Sequence, residues 1–434
     1  MKVGHSLCLA ALSLAVLSAC NKVPDNKEQA IITEQVQISA PVAKKIPYEM
    51  TIHGDTRIDN YYWMRDDERK DEAVIAHLNA ENEYVESMLA HTLPLQNTLF
   101  EELKGRIEKD DDTVPTKKGD YYYFSQTRGD DEYPVYVRSK DSQGENKQVI
   151  LNVNDLAKDH DYFAVTGLAV SPNGNLLAYG EDTVSRRIYT IKVKDLSTGK
   201  MLSESLEGTE GEVVWANDNK TFYYIKKDLQ TLLGYQVYRH TLGTSQADDE
   251  LVYEEKNTSY YTGISKSKDQ QEIYISHGST SASGVSVIDA NDVKAMPKRF
   301  IEREAGLEYD IKKLGDWYYI VTNLNAVNFQ LMKVHRDKAH DKANWQTLIA
   351  GRDDVKLEDI ELFNNHLVYE EREKGQTRIT IRDLRNQQEQ VVAFNDPTYM
   401  VFSYGNSELD NPNLRVYYSS MTTPGSSYDI NLEN

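Results

Sequence analysis

One short pattern occurs seven times between residue 111 and the last residue of the chain. In each copy a triplet of aromatic or aliphatic residues follows a polar turn, and successive triplets lie 45–56 positions apart. The triplets occupy residues 121–123, 177–179, 222–224, 273–275, 318–320, 367–369 and 416–418. A four-stranded propeller blade takes about 40–50 residues, and blades bury their faces only against one another. The spacing therefore predicts a mainly β fold, with a seven-bladed β-propeller over residues 111–434, rather than a series of unrelated β-meanders.

Residues 46–110 have a different periodicity, which predicts an N-terminal α-helical segment ahead of the propeller. Apolar residues recur three and four positions apart over residues 74–89, and Asp71 is a suitable N-cap. A second helix is expected from about Leu95, with leucines four positions apart and Pro94 in its first turn. Each helix has a single apolar stripe, so each needs a surface to pack against.

The start of the chain has the pattern of an export signal. An apolar run at residues 7–17 is too short to span a bilayer as a helix, but it suits a signal peptide. The run ends in Leu-Ser-Ala-Cys at residues 17–20, which is typical of a bacterial lipobox. The alternative is an ordinary signal peptide with a chance cysteine. We therefore expect Cys20 to be lipidated.

This interpretation assigns the first 45 residues to export and anchoring. Residues 1–19 are expected to be a lipoprotein signal peptide, and residues 20–45, a polar segment with two prolines, to be a flexible linker after the lipidated cysteine. The lipid would attach the protein to a membrane. Asn21, in place of an aspartate, favours the periplasmic face of the outer membrane in a bacterial cell envelope.

The net charge of −20 bears on the class of ligand. An acidic surface attracts cations, so basic peptides are the expected partners, although the charge is also explained by solubility alone. Nucleic acid is not expected, because basic residues do not cluster among aromatic ones. The cysteines, Cys8 and Cys20, lie in or beside the signal peptide, and His335 and His340 lie in a charged stretch typical of a surface loop. We therefore expect no cofactor and no metal site.

Several segments resemble the N-terminal region of oligopeptidase B, in the prolyl oligopeptidase family of serine peptidases. They are Tyr-Tyr-Trp-Met-Arg-Asp-Asp at 61–67, His-Leu-Asn-Ala-Glu-Asn-Glu-Tyr at 77–84, Glu-Glu-Leu-Lys-Gly-Arg-Ile at 101–107, Asp-Asp-Thr-Val-Pro at 111–115, Glu-Tyr-Pro-Val-Tyr at 132–136, Val-Ser-Pro-Asn-Gly at 170–174 and Ser-Ser-Met-Thr-Thr-Pro at 419–424. The resemblance implies that the propeller caps an α/β-hydrolase domain, restricts access to short peptides, and serves cleavage after Arg or Lys. It implies no cofactor.

The sequence departs from that family in its catalytic motif. The family places its nucleophilic serine in a G-x-S-x-G turn between a strand and a helix. No serine here has both glycines; the nearest matches are Ser265, Ser286 and Ser407, none of which precedes a helical pattern. We therefore expect the catalytic α/β-hydrolase domain to be absent from this chain, and we assign no catalytic residue.

Three functions are compatible with these observations. The chain is the N-terminal and propeller part of a split or truncated peptidase, completed by a separately encoded α/β-hydrolase half; or it is a lipoprotein propeller that binds peptides or proteins without cutting them; or it is an enzyme through an unrecognised site. The apolar stripes of the two helices distinguish the first from the second. They should be exposed if a hydrolase partner exists.

Overall fold

The computed structural model describes residues 39–433, so the predicted signal peptide and Cys20 lie outside the described residues. The chain divides into two compact units between Lys104 and Gly105. No helix among residues 39–433 is long and apolar enough to cross a membrane.

The first unit begins with a β-hairpin, which precedes the predicted helices. Its strands are β1 (Tyr48–Ile52) and β2 (Asp55–Asp59), joined by a two-residue turn. Both turn residues, His53 and Gly54, have positive φ angles, as a type I′ hairpin turn requires. A single 3-10 turn, Tyr62–Met64, follows the hairpin.

The helical segment is one continuous stretch of 34 residues, from Glu72 to Gly105, rather than two separated helices. It consists of α1 (Glu72–Leu89), a 3-10 turn (Ala90–Thr92) and α2 (Leu93–Gly105). The predicted N-cap is confirmed, because the Asp71 carboxylate accepts hydrogen bonds from the first turn of α1. Pro94 does not interrupt the segment, since a proline at the start of a helix lacks only an amide that would be unpaired there.

Within residues 105–433, the strands form six antiparallel sheets. The first contains β3 (Asp111–Asp112), β4 (Thr116–Lys118), β5 (Tyr121–Thr127), β6 (Val135–Ser139) and β7 (Gln148–Asn152), followed by the short helix α3 (Val153–Ala157). The second contains β8 (Ala164–Val170), β9 (Leu176–Asp182), β10 (Tyr189–Asp195), β11 (Met201–Trp215), β12 (Thr221–Lys227), β13 (Gly234–Thr241) and β14 (Glu250–Glu254).

Four smaller sheets complete this unit. The third contains β15 (Tyr261–Lys266), β16 (Glu272–Gly278), β17 (Ser283–Asp289) and β18 (Lys298–Arg299), and the fourth contains β19 (Tyr309–Leu314), β20 (Trp317–Thr322), β21 (Gln330–His335) and β22 (Gln346–Ile349). The fifth contains β23 (Val355–Leu362), β24 (His366–Glu373), β25 (Gln376–Asp383) and β26 (Glu389–Val391), and the sixth contains β27 (Tyr399–Ser403), β28 (Asn413–Ser420) and β29 (Ser426–Asn431).

The prediction of seven separate blades is wrong. Among residues 105–433, five sheets have four or more strands and the sixth has three. All seven triplets lie in strands, but the second and third triplets share the seven-stranded sheet. The reason is β11, which is 15 residues long and pairs with β10 along one part and with β12 along the other. Gly208 and Gly211, with positive φ angles, bend this strand without ending it.

The hydrophobic core lies between successive sheets. One cluster joins Tyr274 and Val285 of the third sheet to Ile320 and Val334 of the fourth, and similar clusters join the other neighbours. The first and last sheets also meet. The Gly119 amide donates to Glu408 Oε1 at 2.6 Å, and Arg415 Nη1 donates to the Pro115 carbonyl at 2.6 Å. The sheets therefore form a closed ring, as a propeller requires.

The two ends of the sheets differ in polarity. Turns at one end contain mainly Asn, Asp, Ser and Gly, as in residues 171–175 between β8 and β9 and residues 217–220 between β11 and β12. Turns at the opposite end carry exposed apolar side chains in several sheets; they are the turns β9–β10, β12–β13, β20–β21 and β28–β29. These side chains are Val184, Leu229, Val327 and Met421. We call this second set of turns the apolar end of the propeller.

Candidate peptide-binding channel

Charged side chains from different sheets meet along the first strands of the sheets. In a propeller these innermost strands surround a central channel. The residues lie in β4, β15, β19 and β23, or in the connections that follow β15 and β27. We call them the axial charge cluster; its members are Lys118, Lys266, Lys268, Asp310, Lys312, Asp359, Glu361 and Glu408.

Ion pairs connect sheets across this cluster. Lys312 Nζ on β19 lies 2.8 Å from Asp359 Oδ1 on β23. Lys268 Nζ, which follows β15, lies 2.9 Å from Glu361 Oε1 and 2.6 Å from the Leu362 carbonyl. This second pair joins the third sheet to the fifth, past the fourth. A single lysine side chain can join two sheets that are not neighbours only where the channel is narrow.

The shifted pKa values in the axial charge cluster indicate that its side chains lie in an enclosed space. Desolvation by the surrounding protein lowers the pKa of Lys118, and desolvation together with the Lys118 charge lowers the pKa of Lys266 to about 8. Desolvation likewise raises the pKa of the Asp310 carboxyl. Yet the side chains of Lys118 and Asp310 remain solvent-exposed. Groups that contact water while protein surrounds them line a cavity, which is the geometry of a channel wall.

A further carboxylate borders the cluster. Glu370 on β24 accepts a hydrogen bond from the Ser403 amide at 2.8 Å and another from the Ser403 hydroxyl. Desolvation outweighs these bonds and raises the pKa of Glu370. The channel wall thus combines two carboxyls with raised pKa values, Asp310 and Glu370, with three lysines whose pKa values desolvation lowers. The pKa of Lys312 is raised instead, because Asp359 and Glu361 outweigh its desolvation. A nearby cation would lower the cost of ionising Asp310 or Glu370, and a nearby anion would likewise favour protonation of Lys118 or Lys266.

The serines considered from sequence lie on different strands or connections. Ser265 lies in β15, Ser286 is buried in β17, and Ser407 lies in the connection between β27 and β28. His335 ends β21, and His340 lies in the loop that follows. Across residues 39–433, no group of three or more His, Cys, Asp or Glu side chains is arranged to hold a metal ion.

A buried His–Asp pair escaped the sequence analysis. His240 Nδ1 lies 2.7 Å from Asp249 Oδ1, and the Tyr224 hydroxyl donates to Asp249 Oδ2 at 2.8 Å. Both members are buried, and the imidazole packs 4.9 Å from the Phe222 ring. In the described part of the chain the second ring nitrogen, Nε2, has no hydrogen-bond partner, so no serine accompanies the pair. The arrangement stabilises the second sheet and does not form a triad.

The sequence matches one family profile and is similar to two bacterial peptidases. A sequence profile described as "Prolyl oligopeptidase, N-terminal beta-propeller domain" matches residues 41–434. Dipeptidyl aminopeptidase BI of Pseudoxanthomonas mexicana is 37% identical over 409 residues, which cover 90% of this chain and 56% of that protein. Protease 2 of Moraxella lacunata is 29% identical, over 91% of this chain and 57% of that protein.

Two solved structures are also similar to this chain over most of its length. Oligopeptidase B from Leishmania major superimposes with a TM-score of 0.86 and 28% identity, over 92% of this chain and 59% of that one. Oligopeptidase B from Trypanosoma brucei, solved with covalently bound antipain, gives a TM-score of 0.83 and 26% identity, over 91% and 59%. The chain therefore spans a little over half the length of the relatives that it matches.

Proposed function

Because this chain belongs to the prolyl oligopeptidase family, we propose that it is the N-terminal and propeller part of an oligopeptidase B-like serine peptidase. In this proposal the propeller controls access of short peptides to an α/β-hydrolase part. That part supplies the catalytic triad and cleaves after Arg or Lys, and the residues of this chain bind and select the substrate.

The observation that carries the proposal is the exposed apolar surface of the helical unit. Val74 is the one buried side chain of α1 and α2. The remaining large apolar side chains of the stripes are exposed. They are Ile75, Leu78, Val85, Met88, Leu89, Leu93, Leu95, Leu99, Phe100 and Leu103. An apolar surface of this extent on the helical unit is typical of a protein–protein contact, which supports a hydrolase partner.

The apolar end of the propeller supports the same partner independently. Val327 and Met421 at this end are each 94% exposed. Exposed apolar side chains scattered singly are ordinary, but here they recur in equivalent turns of different sheets. We propose that this end of the propeller faces the hydrolase part.

The charge of the molecule supports a basic substrate. The net charge is −20, and the channel wall contains Asp310 and Glu370, whose ionisation a bound cation would favour. Peptides that carry Arg or Lys satisfy both conditions. In this proposal the propeller concentrates cationic peptides as well as limiting their size.

A docking test uses one helix with two matched variants. The partner is the unmatched part of the Pseudoxanthomonas mexicana relative, expressed as a separate polypeptide. Leu99→Asp places a charge in the apolar stripe of α2 and is expected to weaken binding by about tenfold or more. Asn97→Asp adds the same charge to another face of α2 and should leave affinity within about twofold. Titration calorimetry measures both. Equal affinities for the two variants would mean that the apolar stripe of α2 is not part of the interface.

The predicted lipid anchor also remains a proposal, placing the protein on the periplasmic face of the outer membrane. Cys20→Ser removes the thiol that the lipid would join, so the protein should move from the membrane fraction to the soluble fraction of the cell envelope. Cys8→Ser is the matched control, since Cys8 lies inside the segment expected to be cleaved. Membrane retention of the Cys20→Ser protein would contradict lipidation.

A further inference from the structure

Two lysines of the axial charge cluster have no carboxylate partner. Lys118 is the last residue of β4 in the first sheet, and Lys266 is the last residue of β15 in the third sheet. Within residues 39–433, neither lysine forms an ion pair with a carboxylate. Charges in an enclosed space are normally paired, so the two ammonium groups are suited to bind an anionic group.

The two ammonium groups face the same part of the channel, although their strands belong to different sheets. Desolvation and the Lys118 charge together lower the pKa of Lys266 to about 8, so the two groups are near each other. Repulsion between two like charges is unfavourable, and a negatively charged group between them would relieve it.

The carboxylates at this end of the channel already have partners. Glu361 Oε1 lies 2.9 Å from Lys268 Nζ. Glu408 Oε1 accepts a hydrogen bond from the Gly119 amide at 2.6 Å. The Glu408 charge opposes the fall in the pKa of Lys118 that desolvation causes, but it does not reverse that fall. Neither carboxylate pairs with the two lysines.

Asn217 positions Lys266 at the channel. The Asn217 side-chain amide donates to the Gln270 carbonyl at 2.9 Å and to Asn291 Oδ1 at 2.8 Å, which leaves its oxygen directed at the ammonium group. Lys266 Nζ donates to this oxygen at 2.6 Å. An ammonium group has three donors, so two remain, and a carboxylate has an oxygen for each of two lysines.

Both lysines lie at the end of the propeller opposite its apolar end. The turn that follows β15 bonds to residues 217–220, one of the polar turns. Just after β4, the Tyr121 ring contacts Arg138, which also donates to the Gly174 carbonyl in another polar turn. A ligand held by the two lysines would therefore be bound away from the apolar end.

We propose that Lys118 and Lys266 bind the C-terminal carboxylate of a short peptide inside the channel, with the rest of the peptide extending towards the apolar end. This inference rests on the proposed function for its choice of peptides as the ligand. It adds a second feature to the substrate class, because a free carboxylate is required as well as a basic side chain. The propeller then selects peptides by their C-terminus and not by size alone.

The test compares one octapeptide in two forms, the free acid and the C-terminal amide. The peptide has a single internal arginine and no acidic side chain, so the terminal carboxylate is the only one present. Titration calorimetry with the purified protein should show the acid binding about tenfold more tightly. The net charge of −20 acts against this result, because an acidic protein repels a carboxylate. Equal binding, tighter binding of the amide, or binding of neither peptide would overturn the inference.

Variants of the lysines locate the effect. With Lys118→Gln and Lys266→Gln combined, the two peptides should bind within about twofold of each other. Lys117→Gln is the matched control, because Lys117 is exposed and its side chain points to the other face of β4. This control should keep the preference of about tenfold for the acid. A double variant that still prefers the acid would show that the carboxylate is bound elsewhere.

The two proposals fail in different ways. Preferential binding of the acid, without turnover when the unmatched part of the Pseudoxanthomonas mexicana relative is added, would retain the carboxylate site and overturn the proposed function. Turnover of Arg-containing peptides by the combined parts, with equal binding of acid and amide, would overturn the carboxylate site and leave the proposed function standing.

Discussion

Replacing Gly167 by alanine is expected to lower the free energy of unfolding by about 3–5 kcal/mol. A Cβ at this position would lie 2.2 Å from the Gly211 carbonyl oxygen and 2.8 Å from Glu212 Cα. Both are backbone atoms of β11, the strand shared by two of the predicted blades, so they cannot move without displacing the sheet. Gly167 also has a φ of +65°, which an alanine adopts only with strain.

Gly199→Ala is a control that separates the steric clash from the backbone strain. Gly199 has a similar φ of +73°, but no atom lies within 4 Å of the Cβ that it would gain. This control should cost about 1 kcal/mol, from backbone strain alone. Urea unfolding measures both variants. Similar losses in the two proteins would mean that β8 and β11 do not approach as closely as described.

Acidification is expected to destabilise the propeller through His277. The side chain is 1% exposed, and neither ring nitrogen has a hydrogen-bond partner within the described residues. Desolvation lowers the pKa of His277 to about 4, and the nearby Arg303 charge acts in the same direction, against the opposing charge of Glu255. The unfolded chain, with a histidine pKa of about 6.5, therefore binds a proton more readily than the folded chain.

The sign of the pH dependence follows from this difference. The contribution of His277 to stability is fully present above pH of about 6.5 and declines as the pH falls towards 4, with a loss of about 2 kcal/mol by pH 5. Desolvated carboxyls such as Glu272 and Glu370, whose pKa values are raised, act in the opposite direction. The test is therefore the difference between the unaltered protein and His277→Phe, measured by urea unfolding at pH 7 and pH 5. Parallel losses in both proteins would contradict a neutral buried imidazole.

The seven-fold repeat predicted the strands correctly and their grouping incorrectly. Every triplet lies in a strand, because alternating aromatic and aliphatic residues suit a sheet that is buried on both faces. The error lies in residues 201–215, where Gly208 and Gly211 have the appearance of a turn between two blades. In the structure they are bends within one strand. A glycine with positive φ serves either purpose, and the distinction depends on pairing with β10 and β12, which are remote in sequence.

The helical segment shows the same division between local and long-range information. Its N-cap at Asp71 and its apolar stripes follow from residues a few positions apart, and both were predictable. The axial charge cluster was not, because its members come from separate sheets and share no motif. Lys268 and Glu361, for example, are paired in space but are 93 residues apart in the chain. Only closure of the ring brings them together.

The proposal that this chain selects peptides for a separate catalytic part is tested most directly by a turnover measurement. The purified protein is assayed on an Arg-containing fluorogenic peptide, alone and with the unmatched part of the Pseudoxanthomonas mexicana relative, each with and without a covalent serine inhibitor. Hydrolysis should require the added polypeptide and be abolished by the inhibitor. Inhibitor-sensitive hydrolysis by the protein alone would contradict the account.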